Sequence, residues 1–266
     1  MTTRALEHVR RMRGGAQAQL LRCADQHYYV TKFQNNPQHL RILANEMLGT
    51  VLAEALGLPA ARADVVDVKA ELIDATPELK LFQAGKWEKC RPGFQFGSRF
   101  PGPLGLTQVY DLLPDDPLAE VENVADFAGM LLFDQWTCNT NGRQALFVSE
   151  PARRRGYRAV MIDHGFCFNA GEWTFPDSPL RGLYHRQRVY AGVRGWASFE
   201  PFLERLDNLP ARALDDAAAG VPPGWYNHDT DAMARLLEQL DRRRKRIREL
   251  ITAARNSSRQ PFPNWS

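Results

Sequence analysis

The sequence is poor in the features that would settle its class at once. No run of about 18 apolar residues occurs among its 266, so no membrane-spanning helix is expected. The opening MTTRALEHVRRMRGG is basic with no apolar core behind it, so it does not read as a secretory leader. Four cysteines, Cys23, Cys90, Cys138 and Cys167, form no C-x-x-C pair. Their scatter argues against a zinc ribbon or a disulfide framework and predicts free thiols in a reducing cytoplasm. An excess of one charge is also missing. With 34 Lys and Arg against 31 Asp and Glu, the formal net charge of +3 is too small to argue for nucleic acid by itself. Neither G-K-[ST] after a glycine loop nor G-x-G-x-x-G is present, which removes two common phosphate-binding loops.

What remains is ordinary globular composition, 44% hydrophobic and 24% charged, in a length that suits one large domain or two closely packed lobes. Residues 14–33 read as a β-hairpin turning at Ala24, Asp25 and Gln26. Residues 39–56 read as an amphipathic helix carried by Leu43, Met47, Val51, Leu52 and Ala55, with Gly57 and Pro59 as its stop. Strands are expected over 63–73 and 79–82, a Gly/Pro-rich linker over 93–105, and a turn or short helix over 111–116. A buried helix follows over 124–136, then two short strands, 145–148 and 160–162, around a turn at 152–156. Helices are expected over 200–206 and 230–254. The order is that of an α+β chain with a mostly β first lobe holding one helix and a larger helical second lobe.

Four groups of residues carry chemistry. Lys32 ends a strand and Glu46 lies in the next helix; a fixed ammonium beside a polyphosphate, oriented by a carboxylate, is the pair that phosphoryl-transfer folds use. A surface Lys and a solvated Glu is the plain alternative. The turn from Gly14 through Gln17 to Gln19 is small enough for backbone N–H groups to approach phosphates, or is simply a hairpin start. Polar residues cluster in FDQWTCNTNGRQ, from Phe133 to Gln144, between a buried helix and a strand, as in a functional loop; a capped helix end with Asn141-Gly142 as a hairpin turn would look the same. Asp163 follows the apolar strand VMI and precedes a glycine turn, a placement suited to magnesium or to a plain strand end. His164 reads as a packed neighbour of Asp163, with an active-site group as the alternative. The basic stretch 181–194, with His185 and Arg186, and the run 242–246 read as solvated faces by default, the first alternatively as a clamp for phosphate or an acidic partner and the second as a nucleic-acid contact.

In joint order, GGAQAQLL, YYVTKF, ANEMLGTVLAEALGLP, FDQWTCNTNGRQALF and VMIDHGFCF resemble the HipA-like kinase family, which is related to the phosphatidylinositol kinase fold. The resemblance covers about residues 12–170, and the closing WYNH and FPNW segments also resemble a HipA-like subfamily. It implies a two-lobed protein kinase-like fold, with lobes over 1–92 and 93–266. It also implies a bacterial, cytoplasmic enzyme that uses ATP and Mg2+ to phosphorylate Ser or Thr of a protein substrate, without membrane or nucleic-acid partners. The extra N-terminal domain of the longer HipA toxins is not expected. Carried over, Gln17, Lys32 and Glu46 would serve the nucleotide and Asp163 the metal.

The resemblance breaks in the catalytic loop. The family reads N-x-D-R-x-x-x-N; here Asn139 and Thr140 match, Asn141 stands at the aspartate, Arg143 is displaced by one, and the second metal-holding Asn falls near Ala145 or Leu146. An amide is no carboxylate base. Three expectations stay open: a pseudokinase-type binding module, an enzyme in which Asp134 replaces the base, or one that needs little base assistance. Asp134 equally suits a structural role, holding the loop backbone.

Overall fold

The computed structural model describes residues 2–149 and 156–266. Five strands close a barrel at the N-terminal end: β1 (Thr2–Arg11), β2 (Gln19–Cys23), β3 (Tyr28–Lys32), β4 (Ala63–Val68) and, further along, β7 (Gly93–Arg99), in the order β1-β2-β3-β7-β4. The β1–β4 pair is parallel and the others are antiparallel. Helix α1 (Ile42–Ala55) follows β3, helix α2 (Ala70–Ala75) follows β4, and β5 (Lys80–Gln83) pairs with β6 (Lys86–Lys89) as a separate hairpin.

The expected hairpin over 14–33 is found as β2 and β3, and Gln26 takes the left-handed turn at φ 65°. Strand β1 was not anticipated. Its register slips between Ala5 and Glu7 and again between His8 and Arg10, so alternation is broken and Leu6 and Val9 stay exposed. The strand expected over 63–73 ends at Val68, where α2 takes over. The expected linker over 93–105 is corrected more deeply: its first half is β7, hydrogen-bonded to both β3 and β4. The glycine that suggested a loop is a packing residue, since a Cβ on Gly97 would stand 2.4 Å from Val66 Cγ2.

The second half begins with β8 (Gln108–Tyr110), α3 (Asp115–Leu118) and α4 (Asp126–Trp136), and β9 (Gln144–Ser149) and β10 (Arg158–Ile162) form a three-stranded sheet with β8 in the order β10-β9-β8. Of the turn expected between β9 and β10, residues 152–155 lie outside the described residues. Helices α5 (Glu200–Asp207), α6 (Ala211–Ala219), α7 (Thr230–Arg244) and α8 (Ile247–Arg255) complete the chain. The single helix expected over 230–254 is two, broken at Lys245 and Arg246. Asp229 caps the first by accepting from Ala232 N at 2.9 Å. The run 242–246 is not wholly a solvated face either. Arg243 is buried and donates to the Gln135 and Phe175 carbonyls at 3.0 and 3.2 Å.

Helix α1 has almost no free face: every residue from Ile42 to Thr50 is buried. Its apolar side joins the large core that runs through α4, β9, β10 and the C-terminal helices, while a second core, including Leu21, Tyr29, Phe33 and Val66, fills the barrel. A helix buried on nearly every side belongs between two layers, and its buried polar residues Asn45, Glu46 and Thr50 need partners there. Gly57, at φ 68°, ends it as expected, and the next residues pair with β10, Met161 N donating to Pro59 O at 2.7 Å. The helix that carries Glu46 is thereby tied to the strand that leads to Asp163.

Candidate active site

Three of the sequence-predicted residues meet between the barrel and the helical half. Lys32, the last residue of β3, ion-pairs with Glu46 from α1, and its Nζ lies 2.6 Å from Asp163 Oδ1 just past β10. Glu46 is 2% exposed. Its Oε2 accepts from His164 N at 3.0 Å and its Oε1 from Gly165 N at 2.9 Å. A Cβ at position 165 would fall 2.9 Å from that same Oε1, so the glycine is what lets the backbone reach the carboxylate. Asp163 itself is left-handed at φ 63°, a backbone conformation a non-glycine residue holds only when its surroundings fix it.

The electrostatics follow from this packing. Burial alone would lower the Lys32 pKa, but the Glu46 and Asp163 charges override it and raise it. Burial also opposes ionisation of Asp163, and the Lys32 ammonium reverses that, holding the carboxyl below its usual range. Burial pushes Glu46 up, with Lys32 opposing. The ammonium is therefore charged and fixed between two carboxylates, pre-organised for a polyphosphate. A divalent ion would find one suitable ligand here, Asp163, whose side chain keeps 18% of its exposure. No cluster of three His, Cys, Asp or Glu suited to a metal occurs among the described residues. One carboxylate completed by phosphate oxygens and water fits a magnesium that arrives with a nucleotide, not a resident metal cage.

The residues at the end of α4 and in the loop after it form a second group. Asp134 lies on α4 with no exposure, and Arg143 donates Nε to its Oδ2 at 2.8 Å and Nη2 to its Oδ1 at 2.7 Å. Asn139 Nδ2 adds a bond to Oδ1 at 2.9 Å, and Arg143 Nη1 reaches the Ile162 carbonyl at 2.9 Å. Asn141 is half-buried at the tip, its N–H donating to Asn139 Oδ1 at 3.0 Å. Burial pushes the Asp134 carboxyl up, and Arg143 and Asn139 resist the shift.

Gln17 is not with the Lys32 group. Its side-chain amide brackets Phe82 of β5, donating to the carbonyl and accepting from the N–H, each at 2.7 Å. His164 is packed, as expected, edge-on to Phe133, with neither ring nitrogen hydrogen-bonded. In the basic stretch 181–194, Arg186 pairs with Asp115 at 2.8 Å and Arg181 reaches Asn169 Oδ1 at 3.2 Å.

Sequence reasoning missed Asn45. It is fully buried, and its Nδ2 lies 2.9, 2.9 and 2.8 Å from the carbonyls of Gly165, Cys167 and Ala170. Its Oδ1 accepts the Trp173 indole N–H at 2.7 Å. The segment after Asp163 is thus sewn to α1. The available signal was an amide next to Glu46, on the stretch of the helix where Ile42, Leu43, Ala44, Met47 and Leu48 are apolar.

A family model described as HipA-like kinase matches residues 6–257. No curated protein matches the chain. Among solved structures, the Golgi casein kinase is similar at TM-score 0.57 and 15% identity, over 98% of this chain and 78% of that one. The same kinase with Mn/ADP bound gives 0.54 and 13%, over 97% and 74%. The Helicobacter pylori proinflammatory kinase CtkA gives 0.53 and 14%, over 94% and 97%. At these identities the likeness is one of fold: a mixed α+β chain, β-rich first and helical second, as the sequence predicted.

Proposed function

Because the chain belongs to the HipA-like kinase family, we propose that it binds ATP with Mg2+ between its two halves and transfers the γ-phosphoryl group, slowly, to a Ser or Thr hydroxyl of a protein. The observation that carries this reading is the Lys32–Glu46–Asp163 group, assembled from three separate elements. Lys32 contacts the phosphates, Glu46 orients it, and Asp163 supplies the protein ligand to the metal, which neutralises phosphate charge when bound. The Golgi casein kinase with Mn/ADP bound supports a nucleotide with a divalent ion in such a fold. The N-terminal lobe in this reading extends past residue 92 to include β7. No helix is long and apolar enough to cross a membrane among the described residues, and we place the protein in the bacterial cytoplasm.

Asn141 takes the base position. Its amide orients a hydroxyl but accepts no proton, which costs about 10²- to 10⁴-fold in rate. Asp134 acts through Arg143 and Asn139 as a positioning residue, since its two oxygens are already bonded. That same saturation favours a second reading, a nucleotide-dependent binding module without phosphotransfer. Titration with ATP and Mg2+ by calorimetry, with Lys32→Ala and Asp163→Ala as controls, tests the nucleotide site; absence of binding at millimolar ATP sinks both readings. Phosphoprotein mass analysis then separates them, because the binding module acquires and transfers no phosphate.

A further inference from the structure

The face formed by β1 and the β5–β6 hairpin, to which no role has been assigned so far, is both cationic and aromatic. Between β1 and the β5–β6 hairpin runs a groove of about 700 Å3, lined by Arg10, Arg11, Lys80 and Trp87, with Glu78 the one carboxylate among its lining residues. None of the three cations makes an ion pair among the described residues. Arg11 instead donates to the Lys80 carbonyl and stacks its guanidinium 4.4 Å from the Trp87 ring centre. The hairpin presents Phe82 and Trp87 at 46% and 50% exposure, with ring centres 5.1 Å apart. Large aromatics left this exposed beside uncompensated cations mark a surface built for contact.

We propose that this groove docks an acidic polypeptide segment, so that the partner or substrate of the chain is recognised by clustered Asp, Glu or phosphorylated side chains. Charge complementarity gives the sign of the occupant. The ring geometry gives its class. A nucleic-acid strand gains most by stacking bases on bare aromatic faces, but Arg11 and Lys80 stand 4.4 and 5.5 Å over the Trp87 ring and Phe82 packs beside it. Cations seated on a ring keep their outer N–H donors for carboxylates, bidentate in the case of Arg.

The groove is also connected to the glycine turn. Gln17, left-handed at φ 49°, brackets the Phe82 main chain with two 2.7 Å bonds, and Arg11 holds the Lys80 carbonyl at the other end of the hairpin. An occupant of the groove therefore bears on the turn over residues 14–19. The docking itself does not rest on the kinase reading.

The test is fluorescence anisotropy on the full chain without nucleotide, using a labelled Glu-rich peptide, an uncharged peptide and a Lys-rich peptide of equal length, and an oligothymidine of matched charge. The Glu-rich peptide is expected to bind best, to weaken with added salt, and to lose about tenfold or more in affinity with Arg10→Glu and with Arg10→Glu/Lys80→Glu. Arg10 is exposed, so the single variant keeps the measurement meaningful if the double variant fails to fold. Equal binding of the three peptides, no loss on charge reversal, or tighter binding of the oligothymidine overturns the proposal. Peptide binding without any ATP binding leaves it standing and removes the kinase reading instead.

Discussion

Arg143 holds both carboxylate oxygens of Asp134 from a fully buried position, while its third nitrogen grips the carbonyl of Ile162, the residue before Asp163. One ion pair thus braces the loop between α4 and β9, α4 itself and the end of β10 together. Removing one partner leaves a buried charge without its mate. Asp134→Asn and Arg143→Met are each expected to cost about 3–5 kcal/mol, read as a lower urea midpoint. If either variant melts like the parent chain, the bracing role is wrong.

Restoring the missing carboxylate is the sharper test of chemistry. Asn141→Asp puts an acceptor where the substrate hydroxyl would lose its proton, and is expected to raise phosphotransfer by about 10²- to 10⁴-fold with little change in ATP affinity. An unchanged rate in a variant that still binds ATP would favour the binding-module reading.

Asn45 makes a different prediction. Its amide serves three carbonyls of the segment behind Asp163 while accepting the Trp173 indole. Asn45→Asp replaces the donor by an acceptor facing those carbonyls. The variant is expected to lose about 1–3 kcal/mol of stability for the unsatisfied groups. Residues 165–173 should become the first site of limited proteolysis, and affinity for ATP with Mg2+ should fall more than affinity for ATP alone. Equal losses with and without the metal would remove the link to Asp163.

The pH dependence of stability should carry the mark of His164. Burial, reinforced by the nearby Arg143 charge, holds its imidazole well below the ordinary range. The unfolded chain, with a His pKa of about 6.5, then binds the proton more tightly than the folded one. The stabilisation is complete above that value and is lost as pH falls towards the folded pKa, at up to about 1.4 kcal/mol per unit. Melting temperature should drop between neutral pH and mildly acid pH, and His164→Phe, which keeps the contact with Phe133, should flatten the slope. A parallel slope in the variant contradicts this.

Much of this molecule could be read before its structure. The helix carrying Glu46, its glycine stop, the β2–β3 hairpin and the Asp163 turn all declare themselves by local pattern, because each is decided by neighbours in sequence. The misses share a cause. Strand β1 hides behind two bulges, β7 behind a glycine demanded by Val66 across the sheet, and the α7–α8 break behind continuous helix formers. In the site, Lys32, Glu46 and Asp163 come together as expected, whereas the partners of Gln17, Asn45 and Asp134 could not be foreseen. Those bonds join residues 65, 120 and 9 positions apart, and only the fold chooses them.

The place of β7 between β3 and β4 also sets a timetable for synthesis. A chain emerging from the ribosome has four of the five barrel strands by residue 68, yet the barrel cannot close until Arg99 has appeared. Until then β3 and β4 each carry an open edge, the condition that invites pairing with another nascent chain. Lys32 waits longer still, for its second carboxylate lies 131 residues downstream. The side chain on which the proposed chemistry depends is among the first to be made, yet it is held on both sides only once residue 163 has followed.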